Sequence, residues 1–517
     1  MKEVTVKPTA ALVLALILAA GAAPPVRADD GALTAAQTAA LDAIGQRSIE
    51  GRAAPGVEIA VVRNGSFVYQ KGFGMRNVDD QVPPDAQTRF PIGSNTKQFT
   101  STGILMLQDE GKLNIDEHLA KYLPEIPHGN QVTLRNLLMH TGGYAEFTEV
   151  EDFDELGARP ATPAQVVGEM VKRPLGFKPG TKRQYSNTGY VLLQMVIERL
   201  SGLSYGAFLK KRIFDPLGMT STYVRDSDDV APDVATEYTY FALGPWEHAL
   251  HIDYTWFGGA GGIISNAEDL AKWNAAHDGG KLLSPRSQAE QMTPVKVDAN
   301  ITNYGLGIMI DKLPNGHRFI AHGGNTTGAA TQDARFPDDH LEIIVLANSG
   351  FYSYNDAVNA VYTTLVPLAP AAPKPSAAAP KAPAAPKAPP LPAGARASDV
   401  AAAKAWLDAA AAGHVDMAKL RPDFRARMTR SHLVALRDLA RFGARTYTFA
   451  GLDRRAPTTA YEFLVATPKQ RMIYLWQRDD DGTVAGIALI PQVSFAPAPV
   501  PSAVPTAVPA AGQPGSH

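Results

Sequence analysis

Between Pro367 and Ala397 the chain is almost entirely alanine, proline and lysine, in Ala-Pro-Lys-Ala-Pro runs. Proline fixes φ and removes a backbone donor, and alanine offers little to bury, so this tract is a semi-extended linker and no part of a packed core. It divides the 517 residues into a long region, 29–366, and a shorter one, 398–492. A second Pro/Ala-rich stretch, 493–517, reads as a disordered tail. A hydrophobic content of 45% is ample for a buried core.

The first residues have the form of an export signal, 1–28. Lys2 and Lys7 supply positive charge, Ala10–Ala23 an apolar stretch, and Val26-Arg27-Ala28 a cleavage site before Asp29. At roughly 14 residues the apolar stretch falls short of the ~20 that cross a bilayer. The expectation is an exported mature chain starting near Asp29, periplasmic or secreted, with no membrane span. The absence of cysteine excludes disulfides, thiolate metal sites, a cysteine nucleophile and a lipid-bearing cysteine together. A formal charge of −2 gives no global reason to expect nucleic acid or an anionic membrane as partner. Lys374, Lys381 and Lys387 in the linker are sparse and read as solvating charges, with cell-wall association as the alternative.

Periodicity places the elements. Val57–Arg63 and Ser66–Lys71 flank Asn64-Gly65, a strong hairpin signal. Ser94 opens a helical pattern through Ile104, Leu105 and Leu107, stopped by Gly111. A second helix follows Asn187 and ends at Gly202, and Arg318–Ala321, Ala330–Phe336 and Glu342–Ala347 read as strands. Strands at both ends with helices between them predict a sheet assembled from the two ends of this region and a helical lobe from its middle. The region 398–492 starts helical and continues as four strands, a small α+β module that resembles cystatin-like or NTF2-like folds and is expected to be an interaction or substrate-gating module.

Three motifs occur in order: Ser94-Asn95-Thr96-Lys97, Tyr185-Ser186-Asn187 and His322-Gly323-Gly324. On a helix, residues three apart share a face, so Lys97 sets an amine beside the Ser94 hydroxyl. A hydroxyl becomes a useful nucleophile when a neighbouring base takes its proton. Each motif alone is common, and His140-Thr141-Gly142 is a second His-x-Gly, read as structural. Order and flanks therefore decide.

The flanks include Phe90-Pro91-Ile92-Gly93, Leu137-Leu138-Met139-His140-Thr141-Gly142-Gly143, Pro179-Gly180, Ile213-Phe214-Asp215-Pro216-Leu217-Gly218-Met219 and Gly261-Gly262-Ile263-Ile264-Ser265. With them, 29–366 resembles the penicillin-recognising serine hydrolases of the class C β-lactamase type, a group that also holds D-alanyl-D-alanine carboxypeptidases, D-aminopeptidases and esterases. The resemblance implies an α/β (α+β) fold with an antiparallel sheet flanked by helices. It makes Ser94 the nucleophile, Lys97 a base, and Tyr185 a proton shuttle, with the first base left open between Lys97 and Tyr185. Asn187 would bind the substrate amide and orient Lys97. His322, Gly323 and Gly324 would line the opposite wall, and the N–H groups of Ser94 and Asn325 would form the oxyanion hole, worth ~3 kcal/mol per donor.

One departure bears on substrate. The β-lactamases of this type usually carry Lys-Thr-Gly where this chain has His322-Gly323-Gly324, which removes a fixed cation and a hydroxyl suited to a substrate carboxylate. Thr326 and Thr327 are candidates to replace that hydroxyl. The expected activity is hydrolysis of an amide or ester through a Ser94 acyl-enzyme. Candidate substrates are D-Ala-D-Ala-type peptides, D-amino-acid amides, β-lactams and short esters. The alternative is a penicillin-recognising binding or sensor protein with little turnover. The chemistry requires no cofactor or metal, and its partner is a small molecule or short peptide.

Overall fold

A computed structural model describes residues 31–150, 153–226, 231–240, 245–297, 300–366, 395–455, 458–468 and 471–492. The expected signal 1–28, nearly all of the linker and the tail lie outside the described residues. Among the described residues no helix is long and apolar enough to cross a membrane.

The chain enters through α1 (Ala35–Glu50), whose first turn is closed by a capping box between Thr34 and Gln37. The hairpin β1 (Gly56–Arg63) and β2 (Ser66–Gly74) follows. Asn64 and Gly65 turn it with φ of 53° and 77°, the left-handed pair that a tight hairpin of matching twist requires. Later come α2 (Thr96–Asp109) and α3 (Asn187–Ser201), each followed by a glycine in left-handed conformation, Gly111 and Gly202. A short hairpin, β3 (Tyr238–Tyr240) and β4 (Trp246–His248), precedes the strands β5 (Met309–Lys312), β6 (Arg318–Asn325), β7 (Ala330–Phe336) and β8 (Leu341–Ala347). Helix α4 (Tyr354–Leu365) ends the region.

The main sheet has the order β5-β6-β7-β8-β1-β2 and is antiparallel throughout. Val57 pairs with Ala347, so the two ends of the region meet in its middle, as the sequence pattern predicts. Strands β1 and β7 are buried nearly end to end because both faces of the sheet are covered. On one face α1 and α4 set Leu41, Ile44, Val358 and Val361 against Val57, Ile59, Ile343 and Val345. On the other lies the helical lobe, with Phe99, Leu105, Tyr190, Ile197 and Trp273 in its core. Asn348, fully buried just past β8, accepts from Gly56 N–H at 2.7 Å and donates to the carbonyls of Met75, Arg76 and Thr236. One side chain thus ties three chain segments together.

The C-terminal module carries α5 (Ala397–Ala411) and α6 (Arg430–Asp438) ahead of a four-stranded antiparallel sheet spanning 446–492, with strands in sequence order. Its core of Leu407, Leu436, Phe463, Tyr474 and Trp476 includes Tyr240 from β3, and Trp246 and Phe351 pack against it. His432 Nε2 lies 3.1 Å from Glu247 Oε1 on the same hairpin. The compositional seam at 367–397 is therefore not the edge of the packing.

Candidate active site

Ser94 sits in a 3₁₀ turn, Gly93–Asn95, that feeds directly into α2. Asn95 pins this turn to the sheet by donating to Thr331 Oγ1 at 2.9 Å and to the Ile92 carbonyl at 3.2 Å. Helix α2 is buried from Thr96 to Leu107, and Lys97 on its first turn is fully buried with it. Its Nζ lies 3.0 Å from Ser94 Oγ, 2.8 Å from Asn187 Oδ1 and 2.7 Å from the Ala260 carbonyl. The rings of Tyr185 and Tyr190 flank it at 4.7 and 5.4 Å. Burial pulls the amine from its ordinary 10.5 down to about 7, while the Glu146 carboxylate works in the opposite direction.

Asn187 opens α3, but the helix is capped by Ser186, which accepts from Gly189 N–H at 3.1 Å. That leaves the Asn187 side chain to face Lys97. Glu146 holds the same helix end, accepting from Asn187 N–H at 2.5 Å and Thr188 N–H at 3.3 Å. A carboxylate at a helix N-terminus is electrostatically favourable. Glu146 and the Ala260 carbonyl were not among the sequence candidates.

Tyr185 keeps 40% of its surface exposed, with its ring beside the Lys97 amine. Burial and the neighbouring Tyr304 push its phenol well above the ordinary 10, so it is neutral at physiological pH. His140 stacks on it with ring centroids 4.3 Å apart. From His140 a chain of contacts runs under the cleft. His140 Nδ1 accepts from Ser186 N–H at 3.1 Å and its Nε2 lies 3.1 Å from Tyr304 Oη. Tyr304 Oη is 3.0 Å from His322 Nε2, and His322 Nδ1 is 2.6 Å from the Gly323 carbonyl. Burial holds both imidazoles in the neutral form, His322 down to about 3. The tautomers follow from the partners: His140 donates through Nε2, Tyr304 donates to His322, and His322 donates through Nδ1. Both His140 nitrogens are engaged, and the His322 side chain is turned inward.

The third motif reaches the nucleophile through its backbone. A Cβ on Gly324 would fall 1.9 Å from the Ile92 carbonyl oxygen and 3.0 Å from Ser94 N. Gly93 takes φ +49°, and a Cβ there would meet Asn325 N at 2.9 Å. Two glycines thus let the end of β6 press against the Ser94 turn, with the Asn325 backbone beside it. Thr326 and Thr327 do not replace the missing hydroxyl. Thr326 donates to Glu237 in a short hydrogen bond, and Thr327 donates to the Leu250 carbonyl at 3.0 Å.

The family model described as Beta-lactamase matches residues 41–366. Penicillin-binding protein 4* of Bacillus subtilis (strain 168) is 28% identical over 305 residues, covering 56% of this chain and 67% of its own length. Other curated relatives are covered over 61% and 62% of theirs. Among solved structures, a D-stereospecific amidohydrolase from Streptomyces sp. is 27% identical with a TM-score of 0.56, covering 63% of this chain and 98% of that one. The octameric penicillin-binding protein homologue from Pyrococcus abyssi shares the fold, at 24% identity and a TM-score of 0.56, over 87% of this chain and 98% of its own. With more than half of its length matched and a serine–lysine pair at the head of a buried helix, the chain belongs to the β-lactamase family.

Proposed function

We propose that this protein is an exported serine hydrolase that cleaves an amide or ester through an acyl-enzyme on Ser94, with Lys97 as the first base. The observation that carries this reading is the contact of a fully buried amine, drawn down to about 7, with the serine oxygen at 3.0 Å. Three acceptors surround Lys97 Nζ, which suits an ammonium. A neutral amine has two N–H bonds. These serve Asn187 and Ala260, and the lone pair is left for the Ser94 hydroxyl proton.

The sequence of steps follows from these roles. Lys97 takes the Ser94 proton as Oγ attacks the carbonyl carbon, and the N–H groups of Ser94 and Asn325 hold the oxyanion. Tyr185, whose raised pKa suits a donor better than a base, passes its proton to the departing nitrogen or oxygen and is reprotonated from Lys97. Water then cleaves the acyl-enzyme by the reverse transfers. Asn187 serves the substrate amide as well as Lys97, while Gly323 and Gly324 line the wall. His322 contributes its backbone there, its ring being engaged inward.

The test uses the full chain and its Ser94→Ala variant with benzylpenicillin, p-nitrophenyl acetate and D-phenylalanine amide. Intact mass and product release are followed together. Ser94-dependent turnover of any of these supports the hydrolase. A lasting Ser94 adduct without turnover favours the penicillin-recognising sensor. Product release that survives Ser94→Ala refutes both.

A further inference from the structure

The wall motif His322-Gly323-Gly324 brings no cation to the cleft, since the His322 ring is committed to Tyr304 and to the Gly323 carbonyl. Lys97 is fully buried and engaged with three oxygens. One permanent charge stands close by. Arg183 holds its guanidinium carbon 4.5 Å from the centre of the Tyr304 ring. The Tyr304 hydroxyl contacts His140 and His322, and His140 stacks on Tyr185 at 4.3 Å. Arg183 and Tyr185 thus rest on the two ends of one aromatic row.

The backbone puts both on one face. Residues 182–186 are neither helix nor turn. The Gln184 N–H donates to the His140 carbonyl at 2.9 Å, and the Ser186 N–H to His140 Nδ1 at 3.1 Å. Alternate N–H groups turned to one partner mark an extended run, in which side chains two apart share a face and neighbours point to opposite ones. Arg183 therefore shares the face on which Tyr185 meets Lys97, itself 3.0 Å from Ser94 Oγ. Lys182 takes the other face, with its amine 5.6 Å from the centre of the Phe177 ring.

No side chain neutralises this charge. Arg183 is half-buried, its Nε is buried without a hydrogen-bond partner, and no carboxylate pairs with it among the described residues. From 170 to 197 the chain carries Lys172, Arg173, Lys178, Lys182 and Arg183 but no acid, although its net charge is −2. A guanidinium drawn partly out of water without a counter-ion is costly unless a ligand supplies one. Arginine keeps its charge at every working pH. Held against a ring face, it leaves its N–H edge for a carboxylate, which it can grip with two parallel hydrogen bonds.

We infer that Arg183 supplies the cation missing from the wall motif, and selects substrates that carry a carboxylate near the scissile bond over neutral ones. This rests on the Ser94 acyl-enzyme reading, and the experiment separates the two. Two matched pairs of esters are compared by kcat/KM on the full chain. In the first, m-carboxyphenyl against m-carbamoylphenyl phenylacetate, the charge is on the departing half. In the second, the p-nitrophenyl esters of m-carboxyphenylacetic and m-carbamoylphenylacetic acid, it is on the acyl half. In at least one pair the carboxylate is expected to be preferred about tenfold at low ionic strength, and less in about 0.5 M salt. Arg183→Gln is expected to bring that ratio towards one, and Arg183→Lys to keep part of it. Lys182→Gln, on the opposite face, is expected to leave most of it. Simple damage to the site in Arg183→Gln would slow both members of a pair alike and leave the ratio standing, which would overturn the inference. No carboxylate preference in either pair, or one lost in Lys182→Gln instead, would overturn it as well. Ester release that survives Ser94→Ala would overturn the acyl-enzyme reading, and this inference with it.

Discussion

If Lys97 is the base, the rate of Ser94 acylation must follow the free amine. With the amine at about 7, roughly one-tenth of it is unprotonated at pH 6 and roughly nine-tenths at pH 8, so the rate should rise about tenfold between them. The sign is fixed by the chemistry, since an ammonium has no lone pair with which to take the serine proton. The assay is the burst of p-nitrophenol from p-nitrophenyl acetate, read in single turnover against a Ser94→Ala blank. Lys97→Arg keeps a cation that cannot deprotonate in the usable range, and should lower the burst rate by about 10²–10⁴-fold at every pH. A second arm reads the same burial as stability. The folded amine is depressed below its unfolded value of 10.5, so the native state binds fewer protons between about 7 and 10.5 and stability rises with pH across that window. Lys97→Met should therefore stabilise the fold by on the order of a few kcal/mol below pH 7, with the advantage shrinking towards pH 10.5. A burst rate flat from pH 6 to 8, or rising only as the solution nears pH 10, would refute the assignment of Lys97 as a base poised near neutrality.

Other perturbations act on the same frame. Glu146→Gln removes the charge that raises Lys97, so the midpoint of the burst profile should move to lower pH, with about 1 kcal/mol lost at the head of α3 in urea unfolding. Gly324→Ala drives a methyl group into the Ile92 carbonyl beside Ser94. It should lower the melting temperature and remove most of the burst, at a cost of about 3 kcal/mol. Asn348→Ala leaves the Gly56 N–H and the carbonyls of Met75 and Thr236 short of a partner, and should cost about 3 kcal/mol in urea unfolding while the burst midpoint stays in place.

What the sequence discloses here depends on whether a group's chemistry is written in its residue type. Ser94, Lys97, Tyr185 and Asn187 stand in ordered motifs, and folding brings them around one nitrogen. The sheet was equally legible, because Asn64-Gly65 forces a hairpin and the apolar strands at both ends have only each other to pair with. Ala260 was invisible, since what it offers Lys97 is a carbonyl that every residue carries. Glu146 was one acid among 51 until α3 turned its first amides towards it. His322 misled in another way. Its residue type suggests partial charge near neutrality, but burial, with Lys97 nearby, keeps it neutral. The helical reading from Ser94 meets a 3₁₀ turn over Gly93–Asn95, in which Gly93 takes a left-handed conformation beside the Asn325 backbone, and the α-helix itself begins two residues later at Thr96.

The hairpin that lends Tyr240 and Trp246 to the C-terminal core, with Phe351 beside it, makes the hydrolase a poor candidate for excision. A fragment stopped at Val366 would carry three aromatic side chains stripped of their cover, on a segment whose neighbour Glu237 also anchors Thr326. Such a scar invites self-association. A minimal catalytic fragment would have to repaint those three positions with polar residues, or keep the module as its built-in chaperone.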